Sequence, residues 1–257
     1  MTDKVYGRQL AAVPLVGRPL GSTVRCARAL CLIPGYLRAW HRYGRLPGSE
    51  RLRLRDASPR LSDKLPASPF DPHYLHQAVW AAERIFSEEP PEHVDVGSEL
   101  TYVAVIAAKL PVVFVDIRPL DLEVANLRPV EGDILALPFP DQSVVSLSCL
   151  HVVEHVGLGR YGDGLNPEGT RQALAELKRV LAVEGNLFLS LPVGRPRLCF
   201  NAHRIHDPRE VVEWMKSLEL REFSVVDDDG RLQMTASLED AARLSYGCGL
   251  FWFQRRL

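Results

Sequence analysis

Residues 93–98 have the sequence HVDVGS, a short run with two valines and an acid that is followed by a glycine and a serine. Similar apolar runs recur at 112–116, 143–149 and 186–191. Helical spacing of apolar residues fills much of the intervals between the runs, which is typical of a parallel sheet with crossover helices. We therefore predict an α/β fold with strands at 93–96 and at the three later runs.

Two aspartates that precede prolines mark helix starts. Asp71 and Asp207 are each followed by a proline, and this pair is typical of an N-cap and the first helical position. Apolar residues then recur at helical spacing. We predict a helix of about four turns from Pro72, and further helices over 101–110, 167–181, 208–218 and 238–244.

The end of the chain departs from the strand and helix alternation. Residues 223–226 and 250–253 both have strand patterns, and no long crossover helix separates them. Successive strands without a long crossover pair in antiparallel fashion. We therefore expect an antiparallel edge on an otherwise parallel sheet.

The first part of the chain differs from the rest in charge and composition. Residues 1–64 carry 13 Lys and Arg against 4 Asp and Glu, whereas the remainder carries 18 against 28. Proline and glycine turn signals interrupt the first part, and only short helical patterns lie between them. We predict a basic, irregular and partly helical arm over 1–69 and one α/β domain over 70–257.

The cysteines and the apolar segments indicate the cellular compartment of the protein. The five cysteines are scattered, and no CxxC pair suggests a zinc ribbon or a redox motif. Arginines interrupt the apolar stretches of the first forty residues, so no run approaches the roughly 20 residues of a membrane span. We expect a cytoplasmic protein without a membrane span.

Acidic residues lie at or near the ends of three predicted strands. Asp95 and Gly97 belong to the first strand end, Asp116 ends the second about twenty residues later, and Asp133 follows Gly132 after a further short strand. In a doubly wound sheet, ligands bind at the carboxyl ends of the strands, where a backbone turn and an acid can hold a nucleotide. The sequence therefore predicts a cofactor site there.

The three strand ends, together with LPFPD at 137–141 and ELKRVL at 176–181, resemble the class I S-adenosylmethionine (SAM)-dependent methyltransferases. That resemblance implies a Rossmann-like fold whose mostly parallel sheet has seven strands and an antiparallel C-terminal edge. It implies SAM as cofactor. The residues it implies as cofactor contacts are Asp95, Gly97, Ser98, Asp116, Ile117, Asp133, Ile134 and Leu150.

The glycine loop departs from the family pattern. Glu99 and Thr101 stand where the family has two further glycines. The pyrophosphate of NAD needs the missing side chain of the second glycine. The departure therefore argues against NAD as the cofactor.

The segment 151–163, HVVEHVGLGRYGD, follows the predicted strand 143–149. Residues i, i+3 and i+4 share one face of a helical turn, so His151, Glu154 and His155 can converge on one ion. As a bare string, HxxEH is the motif of a family of zinc peptidases. That motif belongs on a long helix, whereas this one lies between a buried strand and a glycine-rich loop, so we reject the peptidase interpretation.

The same segment resembles ubiquinone-pathway O-methyltransferases and small-RNA 2′-O-methyltransferases, in which ExxEH and a later histidine bind a divalent ion. The resemblance implies Glu154, His155, His151 and His203 as metal ligands. His151 stands where that motif has its first glutamate. It can therefore be a metal ligand or a free base, and we favour the base. The alternative is that Glu154 and His155 support the site without a metal.

The motifs DVGS, DIRP, EHVGLGRYGD and FNAHR together resemble a group of methyltransferase-like proteins related to the sugar 1-O-methyltransferase of methylmannose polysaccharide biosynthesis, a magnesium-dependent enzyme. The resemblance implies O-methylation of a carbohydrate hydroxyl with Mg²⁺ assistance. Its catalytic residues would be His151, Glu154 and Asp163. A metal would polarise the hydroxyl and His151 would accept its proton.

Other functions stay open at this point. One alternative is a metal-free methyltransferase for another small hydroxyl compound, such as a phenol or a polyketide. Another is a SAM-binding scaffold without activity. We expect a small-molecule or oligosaccharide acceptor, with a homodimer as one alternative assembly, and no nucleic acid, because the catalytic part of the chain is acidic and lacks a basic patch.

Overall fold

The computed structural model describes residues 21–61, 63–118 and 120–256. The chain divides into two units, Met1–Phe70 and Asp71–Leu257. The part of the predicted arm over 1–20 lies outside the described residues. No helix in the described ranges combines the length and the apolar character that a membrane crossing requires.

In the described part of the first unit, a long helix, α1, Gly21–Tyr43, is followed by a 3-10 turn, Leu54–Asp56. The prediction of only short helical stretches was wrong here. Pro34 lies inside the helix without ending it. Beyond the proline, the rings of Tyr36 and Trp40, one turn apart, have centroids separated by 5.9 Å, and such i,i+4 pairs stabilise a helix.

The second unit is built on a sheet of eight strands in the order β3-β2-β1-β4-β5-β10-β8-β9. The first five are parallel, and β10, β8 and β9 continue the sheet in antiparallel fashion. Two further strands, β6 and β7, form a separate antiparallel pair. The strands are β1 His93–Val96, β2 Val112–Asp116, β3 Leu127–Glu131, β4 Val144–Leu150, β5 Leu181–Val193, β6 Arg197–Cys199, β7 His203–Ile205, β8 Glu219–Val226, β9 Leu232–Gln233 and β10 Gly247–Gln254.

Five helices accompany the sheet, and local capping explains their starts. Asp71 and Asp207 are N-caps whose carboxylates accept backbone amides, each with a proline directly after them. Glu99 is also an N-cap, so the residue that departs from the family glycine loop starts a helix. The helices are α2 Pro72–Glu88, α3 Leu100–Ala107, α4 Gly169–Val180, α5 Pro208–Trp214 and α6 Leu238–Ala241.

The order of the parallel strands reverses between β1 and β4. This creates a topological switch point, where the carboxyl ends of neighbouring strands diverge and leave a crevice. The residues predicted as cofactor contacts lie at this edge of the sheet or close to it. The fold therefore brings together strand ends that are far apart in sequence.

The core lies on both faces of the sheet. Successive side chains of a strand point to opposite faces, and β5 follows this rule: Leu187 and Leu189 pack with α4 and α5, whereas Phe188 packs with α2 and α3. Trp80 of α2 is almost fully buried on the second face. Helices on both faces give the doubly wound architecture that the sequence predicted.

The predicted fold class is confirmed, with eight strands in the sheet rather than seven. The additional strand, β9, is only two residues long and pairs with the end of β8. The sequence also missed the pair of β6 and β7. Strand β5 begins five residues before the predicted 186, because Leu181 already pairs with Val144 of β4.

Candidate active site

A cavity of about 530 Å³ opens at the switch point. Its walls come from the ends of β1 and β2, the turn after β3, and the segment that follows β4. Of the predicted cofactor contacts, Gly97, Asp116, Ile117, Asp133 and Ile134 line it. Cavities of roughly 300–1,000 Å³ with convergent polar groups are typical of small-molecule sites.

Gly97 forms the turn at the end of β1. Its φ of +70° lies in the left-handed region, and a Cβ there would lie 3.1 Å from Cγ1 of Val152. Glycine adopts this conformation without strain. The single glycine therefore suffices to turn the chain beside the cavity, and Glu99 is free to cap α3.

Asp116 ends β2 and lies in the cavity wall together with Arg118. Its Oδ1 accepts hydrogen bonds from the backbone amide and Nε of Arg118 at 2.8 and 3.0 Å, and its Oδ2 accepts from an Arg118 Nη at 3.1 Å. A carboxylate in this position can accept the two hydroxyls of a ribose. A ribose bound there would compete with the exposed guanidinium for these oxygens.

Asp133 follows β3 on the same side of the cavity. Its Oδ1 accepts the backbone amide of Leu135 at 2.8 Å, and its Oδ2 accepts no hydrogen bond from the described residues. Ile117 and Ile134 add apolar surface to the wall. The arrangement combines a free carboxylate oxygen with apolar side chains, which suits a purine base with an amino group.

Asp95, Ser98 and Leu150, the other three predicted cofactor contacts, do not line the cavity. Asp95 is fully buried and accepts hydrogen bonds from the hydroxyls of Ser98 and Ser148 and from the Ser98 amide. The Ser98 hydroxyl accepts the Leu150 amide at 3.0 Å. Burial raises the pKa of Asp95 to about 6, against the lowering effect of these donors. The three residues join β1 to β4 beneath the site.

His151 directly follows β4, with a φ of +56°. Its Nδ1 lies 2.8 Å from Oε1 of Glu154, and both side chains are buried. Burial opposes the charged form of each residue. Cys248 and then Glu154 outweigh it and raise the pKa of His151, and His151 in turn lowers the pKa of Glu154. His151 Nε2 and Glu154 Oε2 are buried without a hydrogen-bond partner among the described residues.

His155 lies in the cavity wall, one residue after Glu154. Its Nδ1 is 2.6 Å from the carbonyl oxygen of Ala202, in the turn between β6 and β7. Its Nε2 is 3.6 Å from Glu154 Oε1 and makes no hydrogen bond to the described residues. Burial lowers the pKa of His155. The contact with Ala202 therefore fixes the proton on Nδ1 and leaves the lone pair of Nε2 free.

Asp163, predicted as catalytic, holds together the loop that follows His155. Its carboxylate accepts the amides of Gly157 at 2.6 Å, Gly159 at 3.4 Å and Tyr161 at 3.2 Å. These backbone donors lower its pKa, although burial acts in the opposite direction. Its contacts are those of a loop-forming residue at the cavity rim.

The four predicted metal ligands do not converge on one point. No three of His151, Glu154, His155 and His203 bring ligand atoms within 4.8 Å of one another. The ring of His203 lies 6.5 Å from that of His155 and packs against Tyr246. Mg²⁺ requires oxygen ligands in octahedral geometry, and three imidazoles with one carboxylate do not supply them. This set therefore does not fit magnesium.

Sequence reasoning missed His73 and Cys248, which lie beside His151. Within the described residues, His73, His151 and Cys248 form the one group of three or more His, Cys, Asp or Glu side chains whose ligand atoms all lie within 4.8 Å of one another. Burial lowers the pKa of His73 to about 4. The DP pair before His73 indicated only a helix start, and Cys248 lies in a strand with no local motif.

Comparisons with known proteins agree with this geometry. Residues 94–189 match the family profile described as a methyltransferase domain. Residues 142–241 match a family described as a Caenorhabditis protein of unknown function, DUF268. No curated protein matches the sequence.

Solved structures share the fold at low sequence identity. The N-methyltransferase NodS from Bradyrhizobium japonicum, in complex with S-adenosylhomocysteine, is 12% identical, with a TM-score of 0.51 over 72% of this chain and 88% of that one. The YcgJ protein from Bacillus subtilis is 16% identical, with a TM-score of 0.52 over 71% and 99%. The [4+2]-cyclase SpnF is 13% identical, with a TM-score of 0.52 over 71% and 81%.

Fold and profile together define the class. The second unit has a Rossmann-like class I fold, and residues 94–189 within it match the methyltransferase-domain profile. These findings support the predicted superfamily. The resemblance to the sugar 1-O-methyltransferase stays a prediction.

Proposed function

We propose that this protein transfers the methyl group of SAM to a hydroxyl group of a small acceptor, with a carbohydrate as the first candidate. One observation carries the proposal: the cavity at the switch point joins acids suited to a nucleoside, Asp116 and Asp133, to an imidazole with a free Nε2, that of His155. The carbohydrate class rests on the sequence resemblance. A phenolic hydroxyl is the alternative acceptor.

The side chains present fit the cofactor. Asp116 offers a carboxylate at the end of β2 for the ribose hydroxyls, and Asp133 offers a free oxygen for the adenine amino group. Ile117 and Ile134 provide apolar surface for the ring. When bound, SAM supplies an electrophilic methyl group on a sulfonium.

His155 is better suited than His151 to accept the proton of the acceptor. Both histidines line the cavity, but the Nε2 of His151 is buried away from solvent, whereas His155 has a neutral ring with a free Nε2. A positioned general base contributes about 10²–10⁴-fold to a rate. We therefore transfer the role of base, predicted for His151, to His155.

A bound SAM would supply the methyl group to the acceptor oxygen, and its sulfonium sulfur would leave with the electron pair of the broken carbon–sulfur bond. The hydroxyl proton moves to His155 Nε2, while Ala202 accepts the Nδ1 proton and keeps the ring oriented. Glu154, 3.6 Å from Nε2, stabilises the imidazolium that forms.

Cofactor binding is the first test. Isothermal titration calorimetry with S-adenosylhomocysteine should show one site per chain. Replacing Asp116 by alanine should weaken binding by about 10–100-fold, because hydrogen bonds to a charged acceptor are worth roughly 1.5–3 kcal/mol. Asp121→Ala changes an exposed acid that does not line the cavity and is the matched control. Absence of binding to the wild-type chain would refute the proposal.

Acceptor identity is the second test. Transfer of a labelled methyl group from SAM should be measured with monosaccharides, methylated mannosides and phenols, each in the presence and absence of EDTA. We expect methylation of a sugar hydroxyl that is lost in His155→Gln. Methylation of phenols alone would replace the carbohydrate by the alternative acceptor.

A further inference from the structure

Three side chains from separate elements meet beside the cavity. His73 lies in the first turn of α2, His151 directly follows β4, and Cys248 lies near the start of β10. All three are buried, and their ligand atoms lie within 4.8 Å of one another. We propose that His73, His151 and Cys248 bind one zinc ion.

The distances suit a transition metal. Zinc binds imidazole nitrogen at about 2.0–2.1 Å and thiolate sulfur at about 2.3 Å, so donors around a tetrahedral ion lie about 3.5 Å apart. Side-chain rotations bring donors separated by at most 4.8 Å to this spacing. Three protein ligands leave a fourth position for a water molecule.

His151 has the hydrogen-bonding pattern of a metal ligand. Its Nδ1 is held by Oε1 of Glu154 at 2.8 Å, while its Nε2 is buried without a partner among the described residues. Histidines that bind a metal typically donate the other ring nitrogen to a carboxylate, which fixes the orientation of the ring. An ion at Nε2 completes this arrangement.

Charge balance also favours a divalent cation here. Glu154 is fully buried, and its Oε2 has no partner in the described ranges. When His151 binds an ion as a neutral imidazole, the ion offsets the charge of Glu154 in place of an imidazolium. A zinc ion with one thiolate, close to one glutamate, makes the cluster electrically neutral. Imidazole and thiolate ligands suit zinc, whereas Mg²⁺ prefers oxygen.

The surrounding contacts hold the three ligands in place. Gln77, one turn after His73 on α2, accepts the Ser190 hydroxyl of β5 at 2.6 Å. The His151 amide donates to the same serine at 2.9 Å, through its carbonyl oxygen. Cys248 pairs with Pro192 of β5. Strand β5 therefore fixes the elements that carry all three ligands.

This inference goes beyond the proposed function and does not depend on methyl transfer. None of the chemistry assigned to His155 requires the ion, and of the three ligands only His151 lines the cavity. The ion would connect α2 and β10 to the segment after β4.

Metal content and absorption test the proposal on the full-length chain. After treatment with a chelator, the protein should take up one equivalent of zinc. Cobalt(II) in its place should show a thiolate charge-transfer band and the visible bands of a four-coordinate site. Cys248→Ser should lose the charge-transfer band, and His73→Gln should lose the bound zinc. Cys149→Ser, which changes another fully buried cysteine, should keep both.

Two results would overturn the zinc site. One is a folded wild-type chain that takes up neither zinc nor cobalt. The other is uptake of cobalt without a thiolate charge-transfer band, or uptake of metal with the same stoichiometry in Cys248→Ser as in the wild-type chain. If a variant does not fold, the cobalt spectrum of the wild-type chain alone decides. A chain that binds zinc but not S-adenosylhomocysteine would refute only the proposed methyl transfer.

Discussion

Replacing Asp95 by asparagine should remove a pH-dependent penalty from the folded protein. Asp95 is fully buried, and burial raises its pKa from the ordinary value of 3.8 to about 6. The folded state thus binds this proton more tightly than the unfolded state. Stability contributed by the protonated carboxyl is present below pH 4 and is lost as the pH rises to about 6. The penalty at pH 7 is about 3 kcal/mol.

Urea unfolding at pH 4.5 and pH 7 measures this effect. The free energy of unfolding of the wild-type chain should carry a component from Asp95 that falls with rising pH, and Asp95→Asn should lack it. The asparagine can keep the hydrogen bond from the Ser98 amide and donate to the Ser148 hydroxyl. Affinity for S-adenosylhomocysteine should stay within the same order of magnitude, because Asp95 does not line the cavity.

An exposed acid provides the control, since Asp121→Asn should leave the pH dependence of unfolding unchanged. Equal pH dependence in the wild-type chain and Asp95→Asn would refute the reasoning about burial. A large loss of cofactor affinity in Asp95→Asn would show instead that the sequence-based assignment of Asp95 to the cofactor was correct.

Three further changes test other parts of the site. His155→Gln should lower kcat by about 10²–10⁴-fold at unchanged affinity for S-adenosylhomocysteine, and equal kcat would exclude it as the base. Gly157→Ala places a Cβ 2.1 Å from the Asn166 carbonyl oxygen, at a φ of +81°. Urea unfolding should therefore show a free energy of unfolding that is lower by about 3 kcal/mol. Gly162→Ala is the control and should lower the free energy of unfolding less, because a Cβ there has nothing within 4 Å. Glu154→Gln should weaken zinc binding by about 10–100-fold in a competitive titration, and unchanged affinity would remove it as the orienting carboxylate.

Local patterns predicted ranges for four of the five parallel strands, whereas β3 was predicted only as a short strand before Asp133. Strand β1 matched its prediction at both ends because its apolar run is bounded by Gly97 on one side and polar residues on the other. Strand β5 was predicted too short, because EG at 184–185 resembles a helix C-terminus while the chain already pairs with β4. The two-residue strand β9 is too short to give any pattern.

A site residue was predictable from the sequence only where the backbone alone determines whether its side chain faces the cavity. Asp95 and Asp116 both lie at or near the end of a buried strand, and the sequence cannot distinguish them. Ser148, 53 residues away, turns Asp95 into a buried acceptor, whereas Arg118, two residues away, accompanies Asp116 at the cavity. His73 and Cys248 are 175 positions apart in the sequence, so only the folded sheet brings them together.

The pair of Arg118 and Asp116 makes cofactor binding an exchange of partners. Arg118 is largely exposed, and such pairs are worth roughly 0–1 kcal/mol, so a ribose can replace the guanidinium at little cost. The Arg118 guanidinium that pairs with Asp116 also lies over the ring of Tyr161, 5.0 Å from its centroid, and all three residues line the cavity. A ribose bound at Asp116 would therefore free a positive charge in the cavity wall, beside an aromatic ring.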